Sequence, residues 1–365
     1  MRHWFWLAMA AVGAALCLIS CAPLQPTPYL IPPQAGEIRG VWVSDTARLD
    51  WDRATAQLKR NGFNAMYVNF ATAGGAFYPG SRVLPDVSGM SAKEFERGIF
   101  LAHKRGLAVH AKLVVMFMFR SPPDFQRKMV AANRVMRGPN GKPILQGGYG
   151  WLCPSQKNNH DLMVACVREM VKRYPVDGVQ FDYLRFSEQP SCFCANCRRA
   201  FEQWHGKPVK HWPYDVKDGP LTQRFIEWKQ QIINQWTRDL SDAAHSVRTN
   251  VTVSAAVFHD LDRAREEMGQ DWKLWLERGW LDYVCTMTYT TDPREFEVRV
   301  RQQEARVPRQ QLVVGIASWK LDHLSALVAQ INATRILGTS GFVLFSYDDA
   351  LDRRFLPNLN LSPGR

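Results

Sequence analysis

Past residue 19 the sequence has no apolar run long enough to cross a bilayer as a helix, an argument against a bundle of membrane-spanning helices. No glycine-rich phosphate loop follows the first β-like run, an argument against an open dinucleotide-binding sheet. Its 46 Lys+Arg exceed 34 Asp+Glu for a net charge of +12, yet they form no arm or stripe. Nucleic acid is therefore not an expected partner, whereas an anionic surface such as cell wall or lipid headgroups is compatible. No His and Asp set reads as an open catalytic metal site, which sets aside a metal-dependent deacetylase and leaves no catalytic cofactor expected. The Cys-x-x-Cys step lacks a thioredoxin-like context, so a redox dithiol is not expected either.

What is present begins with a leader. Met1-Arg2-His3 is weakly positive, an apolar run follows over 4–19, and Leu18-Ile19-Ser20-Cys21 resembles a lipobox. The run is too short for a spanning helix and has the small-residue cleavage site of a signal peptide. The expected organisation is a lipoprotein signal peptide over 1–21 with Cys21 lipidated, then a tether over 22–36. Pro23, Pro26, Pro28, Pro32 and Pro33 favour an extended, semi-rigid tether. The protein is thus expected to be exported and anchored to the cell envelope, on the periplasmic face of the outer membrane in a Gram-negative cell. In such a protein 13 Trp and 10 Tyr suit flat sugar rings, although most serve core packing.

From residue 37 to 349, β-rich runs alternate with helical ones. The strand candidates are 38–44, 63–70, 107–115, 178–182, 251–257, 281–289, 311–317 and 341–347. Helical periods fall at 51–61, 92–105, 158–174, 221–247, 271–278, 294–306 and 324–337. Strict βα order predicts an α/β fold, a (β/α)₈ TIM barrel with long loops after strands 3 and 4. The strand 4 loop is Cys-rich over 187–205, the strand 3 loop carries a hairpin signal at Asn140-Gly141, and 350–365 reads as a C-terminal tail.

In Val179-Gln180-Phe181-Asp182 the apolar residues take one parity and the polar ones the other. A helix-wrapped barrel needs an apolar outside, so Gln180 and Asp182 point inward, with Asp182 at the strand exit where barrels keep catalytic groups. A helix or loop cap is the other reading of Asp182. Glycoside hydrolysis needs two carboxylates. Asp292, Asp348 and Asp260 are the candidate partners in that order, among exit carboxylates that also include Asp45 and Asp349. Asp177 and Asp282 lie at strand starts and read as turn or capping residues. Substrate-binding candidates are Trp42, Asn69, His110, Lys112, Gln180, Arg185, Tyr289 and Trp319.

Of the eight cysteines, Cys17 leaves with the leader, and Cys166 and Cys285 read as buried thiols. Cys192, Cys194 and Cys197 form Cys-x-Cys-x-x-Cys, and Cys153 in the neighbouring loop is the best-placed fourth ligand for structural zinc. Disulfides are the competing reading in an exported chain.

Glu37-Ile38-Arg39-Gly40-Val41-Trp42-Val43, Trp151-Leu152-Cys153-Pro154 and the stretches 177–186 and 282–289 resemble the bacterial family-10-like glycosyl-hydrolase-like lipoproteins. That group includes an outer-membrane hydrolase of peptide-free peptidoglycan glycans. The resemblance implies a TIM barrel and a catalytic-type Asp at the end of strand 4, matching Asp182; Tyr183 stands where many members carry a second Asp. The Cys cluster is similar to the zinc site of family 42 β-galactosidases, whose catalytic Asn-Glu pair is absent here. The expectation is a glycoside hydrolase acting on a cell-envelope glycan, peptidoglycan among the candidates, or on an environmental polysaccharide. The alternative is a non-catalytic carbohydrate-binding lipoprotein barrel.

Overall fold

The computed structural model describes residues 29–188 and 191–362, so Cys21 and the leader lie outside the described residues. Eight parallel strands form the centre: β1 Ile38–Val43, β2 Ala65–Thr72, β3 Ala108–Val114 and β4 Gly178–Asp182. They continue with β5 Thr252–Phe258, β6 Tyr283–Met287, β7 Leu312–Ile316 and β8 Gly341–Phe345. Each pairs with the next, and β1 pairs with both β2 and β8, which closes the (β/α)₈ barrel. Residues such as Val179 and Phe181 pack outward against helices and are fully buried.

The longer helices are α1 Trp51–Arg60, α2 Ala92–Lys104, α3 Pro123–Ala131, α4 Lys157–Arg173 and α5 Ala195–His205. After these come α6 Thr222–His245, α7 Trp272–Glu277, α8 Pro293–Glu304 and α9 Leu324–Leu337. Local chemistry sets their ends: Ser91 and Glu94 form a reciprocal capping box at α2, and Gly338 ends α9 at φ +73°.

Strand 2 starts two residues later than the sequence pattern indicates. The Phe63 amide closes α1 on the Leu58 carbonyl, while Asn64 already reaches both neighbouring strands, its amide donating to the Arg39 carbonyl at 3.0 Å and its carbonyl accepting from the Ala108 amide at 2.9 Å, just ahead of the regular pairing at Ala65. Two of these helices went unforeseen. Pro123 opens α3 inside the strand 3 loop, and α5 takes over much of the 187–205 segment read as loop. Its Cys194 cap accepts from the Cys197 amide, so the cysteine spacing itself starts the helix. Arg137 and Pro143 bridge antiparallel around Asn140-Gly141, where Gly141 adopts φ +74°.

Both chain ends described pack on the barrel. Leu30 is buried, the Ile31 amide donates to Asn332 of α9 at 2.9 Å, and Arg335 of α9 grips Glu37 at 2.7 and 2.9 Å. After β8, Leu351, Phe355, Leu359 and Leu361 are buried, and the Leu361 amide donates to the Asn61 carbonyl at 3.0 Å. Among the described residues no helix is long and apolar enough to cross a membrane.

Candidate functional site

At the strand exits a pocket of about 380 Å³ opens, within the usual range for a small ligand. Trp42, Ser44, Asn69, Lys112, Asp182, Tyr183 and Tyr289 line it, with Val114, Phe117, Phe119, Ala256, Met287 and Phe345. Five of the residues singled out from sequence are thus brought together: Trp42, Asn69, Lys112, Asp182 and Tyr289.

Asp182 is the centre of the site. β4 registers Gln180 against Lys112 and Asp182 against Val114, so the Lys112 backbone lies one inward layer below the carboxylate. The four-carbon Lys112 stem climbs that layer, and its Nζ donates to Asp182 Oδ2 at 3.1 Å. Oδ1 accepts from the Tyr183 amide at 2.8 Å. Each oxygen keeps a second lone pair for a ligand. Tyr183 itself sits at φ +51°, the backbone turn that aims its ring across the pocket wall. That ring stacks on Phe117 at 5.3 Å and tilts against Trp151 at 5.2 Å.

The remaining polar groups are arranged for hydrogen bonding. Asn69 is 3 % exposed, lines the pocket, and its Oδ1 has no partner among the described residues. Tyr289 stacks on Phe345 at 5.8 Å; burial, then the nearby Asp182 charge, pushes its phenol well up, so it stays a hydrogen-bond donor. Trp42 presents its ring to the pocket while its Nε1 donates to Gln180 Oε1 at 2.5 Å below.

The structure distributes the other candidates elsewhere. Gln180 is fully buried under the pocket, donating to Ser254 and Cys285 at 3.4 and 3.3 Å. His110 lies lower still, level with Gly178 and stacked on Tyr67 at 4.7 Å. Burial pushes its imidazole down to about 4, so it sits neutral in the barrel floor. Arg185 lies behind the wall, its guanidinium 4.7 Å from the Tyr183 ring and ion-paired to Glu188 at 2.9 Å. Trp319 is half-exposed on the turn after β7, outside the lining.

The partner carboxylates occupy caps. Asp292 is exposed and accepts from the Arg294 amide at 2.8 Å as the N-cap of α8. Asp260 accepts from the Arg263 amide at 3.0 Å, and Asp348 from the Leu351 amide at 2.9 Å. Asp45 is held by Arg120 at 2.8 and 2.9 Å, which keeps its carboxyl below the ordinary range. A residue just past a strand followed by a helix is a natural N-cap, and that local demand takes these side chains away from the axis. At the strand starts, Asp177 and Asp282 each accept from a neighbouring strand's amide, Val109 and Val253, at 2.7 Å. Sequence reasoning missed Phe117, Phe119 and Tyr183 as lining residues. The signal was Met116-Phe117-Met118-Phe119, an apolar run continuing past the strand exit into a loop.

Outside the pocket, Cys153, Cys192, Cys194 and Cys197 converge, their sulfurs all within 4.8 Å of one another. Cys153 Sγ lies 3.5, 3.5 and 3.9 Å from the sulfurs of Cys194, Cys197 and Cys192. A tetrahedron with Zn–S bonds of about 2.3 Å has edges of about 3.8 Å, so the donor set fits zinc and leaves no open position. All four are free thiols rather than disulfides. The Arg137 amide donates to Cys192 at 3.4 Å and Ser155 lies 3.2 Å from Cys197, a polar shell suited to thiolates. Cys166 and Cys285 are buried, and burial pushes the Cys166 thiol up to about 12.

The whole-chain comparisons agree with this geometry. The family model described as glycosyl hydrolase-like 10 matches residues 37–318. Glycosyl hydrolase DigH of Escherichia coli (strain K12) is 24% identical over 385 residues, spanning 87% of this chain and 83% of its own. In three dimensions the barrel is similar to the PgaB (BpsB) glycoside hydrolase domain of Bordetella bronchiseptica, with a TM-score of 0.71, 17% identity, and coverage of 90% of this chain and 99% of that one. A β-galactosidase of Rahnella sp. R3 matches with a TM-score of 0.62 at 15% identity, over 87% of this chain and 52% of its own. At these identities the solved structures establish the fold.

Proposed function

This chain belongs to the glycosyl hydrolase-like 10 family, and we propose that it works as a glycoside hydrolase on a cell-envelope glycan, with Asp182 as the proton-transferring carboxylate. The observation that carries this reading is the place of Asp182: inward on β4, at the strand exit, ion-paired to Lys112, in a pocket walled by Trp42, Phe117, Phe119, Tyr183 and Tyr289. Aromatic faces take the apolar faces of sugar rings, while Asn69 Oδ1 and the Tyr289 hydroxyl can meet sugar hydroxyls. The geometry supports Asp348 as the second carboxylate ahead of Asp292. Both lie three positions past a lining residue, Phe345 and Tyr289, but Asp348 is half-buried whereas Asp292 is exposed, and breaking the Asp348 cap to Leu351 would free it.

A second reading, recognition without turnover, has one observation in its favour. Asp182 is the one carboxylate among the described residues lining the pocket. The deciding experiment incubates the protein with peptidoglycan glycans and a panel of neutral and deacetylated polysaccharides, measuring reducing ends. Release from one of them supports the hydrolase; no release with retained oligosaccharide binding supports the binder.

Two further parts belong to the proposal. The Cys153, Cys192, Cys194 and Cys197 cluster holds a structural zinc that ties the strand 3 and strand 4 loops together. Cys21 carries the lipid that anchors the protein to the envelope, and loss of lipid labelling in Cys21→Ala is the corresponding test.

A further inference from the structure

Far from the pocket, at the opposite end of the barrel, lies a groove of about 600 Å³ bordered by Gly80, Arg82, Arg168, Glu169, Lys172, Arg173 and Val247. Helix α4 ends at Arg173 and leads into the start of β4, and Val247 follows α6 on the way to β5, so the groove lies on the lower rim. Its one carboxylate is turned inward. Glu169 accepts from the Tyr78 hydroxyl, the Ser81 hydroxyl and the Arg82 amide, each at 2.8 Å. Arg173 is likewise occupied, donating to the Pro79 and Gly80 carbonyls at 2.8 and 2.7 Å. Arg82, Arg168 and Lys172 remain, all exposed and without an ion-pair partner among the described residues. Arg168 and Lys172 stand one helical turn apart on the same face.

Cations in the last turn of a helix are favoured by its dipole, which accounts for Lys172. It does not account for Arg82, which a loop delivers to the same groove. Two guanidinium groups and an ammonium around one groove match the oxygens of a phosphate. The same end of the barrel exposes Lys59 and Arg60 at the close of α1 and Lys104 at the close of α2. The chain leading toward Cys21 also leaves here. Tyr29 and Ile31 are bonded to Asn332 in the C-terminal half of α9, on the side of the barrel opposite α4. The eight residues from Tyr29 back to Cys21 reach about 28 Å at most.

We propose that this groove binds the phosphate headgroups of anionic lipids and, with the tether on the far side, lays the barrel on the bilayer with its pocket facing away. The proposal rests on the reading of Cys21 as the lipidated residue. The test partitions the full-length protein onto vesicles of phosphatidylcholine alone and of phosphatidylcholine with phosphatidylglycerol. Wild type should favour the anionic vesicles, with the preference shrinking as salt rises. A surface cation contributes about fivefold, so Arg82→Gln/Arg168→Gln/Lys172→Gln should lose roughly a hundredfold of that preference. Its partition onto neutral vesicles and its hydrolysis of soluble glycan should match wild type, which shows that anchor and fold are intact. An undiminished preference in the variant, or none in wild type, overturns the groove. Failure of the Cys21 reading shows separately, as loss of wild-type binding to neutral vesicles, and failure of the hydrolase reading leaves the vesicle assay untouched.

Discussion

Replacing Asp182 by Asn tests the site at two levels, because the carboxylate is both the proposed reacting group and one half of a buried ion pair. In that pair the Lys112 side chain is 4 % exposed and that of Asp182 12 %. Asn keeps the size and can still accept from the Tyr183 amide, but it leaves an ammonium with no counter-charge in a nearly dry wall. Breaking a buried pair on one side costs about 3–5 kcal/mol; the pocket mouth admits water, so the lower figure, about 3 kcal/mol, is expected. Removing both charges avoids that penalty, and Asp182→Asn/Lys112→Met should recover most of the lost stability. Activity should behave differently. Both variants should fall about a hundredfold or more in release of reducing ends, equal to about 2.7 kcal/mol of transition-state stabilisation, because neither can transfer the proton. Urea unfolding and reducing-end release on the same preparations give the two numbers. Wild-type activity in Asp182→Asn would refute the catalytic assignment, and a double variant no more stable than the single one would refute the energetics of the pair.

Metal analysis should return one zinc per chain, and Cys153→Ser should lose the metal and unfold at lower denaturant; zinc-free protein with disulfides among these cysteines would contradict the assignment. His110 has its imidazole pushed down to about 4 by burial, against about 6.5 in an unfolded chain, so the unfolded state binds the extra proton between those values. Its contribution is therefore intact above about pH 6.5 and lost as pH falls toward 4, up to about 3 kcal/mol, and His110→Phe should flatten the acid side of a stability–pH curve. Gly178→Ala should destabilise by about 1–3 kcal/mol or more in chemical unfolding, because the added methyl meets His110 Nδ1 and lies 2.9 Å from the Thr252 carbonyl.

Periodicity along the chain was enough for the barrel. Parallel strands buried on both faces must be apolar runs, and helices covering them show a 3.6-residue stripe, so strand β4 could be placed to the residue and helix α1 to within one residue of its end. The inward parity of Asp182 and the spacing of Cys192, Cys194 and Cys197 were equally legible, since both follow from local geometry. Height along the barrel axis was not. Gln180 and His110 share the inward parity of Asp182 and Lys112, yet they sit in lower layers, sealed beneath the pocket, because parity fixes a side chain's face and says nothing of its level. Nor could the sequence choose among exit carboxylates, since Asp292, Asp260 and Asp348 each answer a local demand for a cap. The meeting of Cys153 with the other three thiols and of Lys112 with Asp182 are long-range contacts. They exist because β3 and β4 pair directly, which makes the loops that leave them neighbours in space; that adjacency let Cys153 be placed once a barrel was inferred, while the reach of Lys112 to Asp182 came only with the structure.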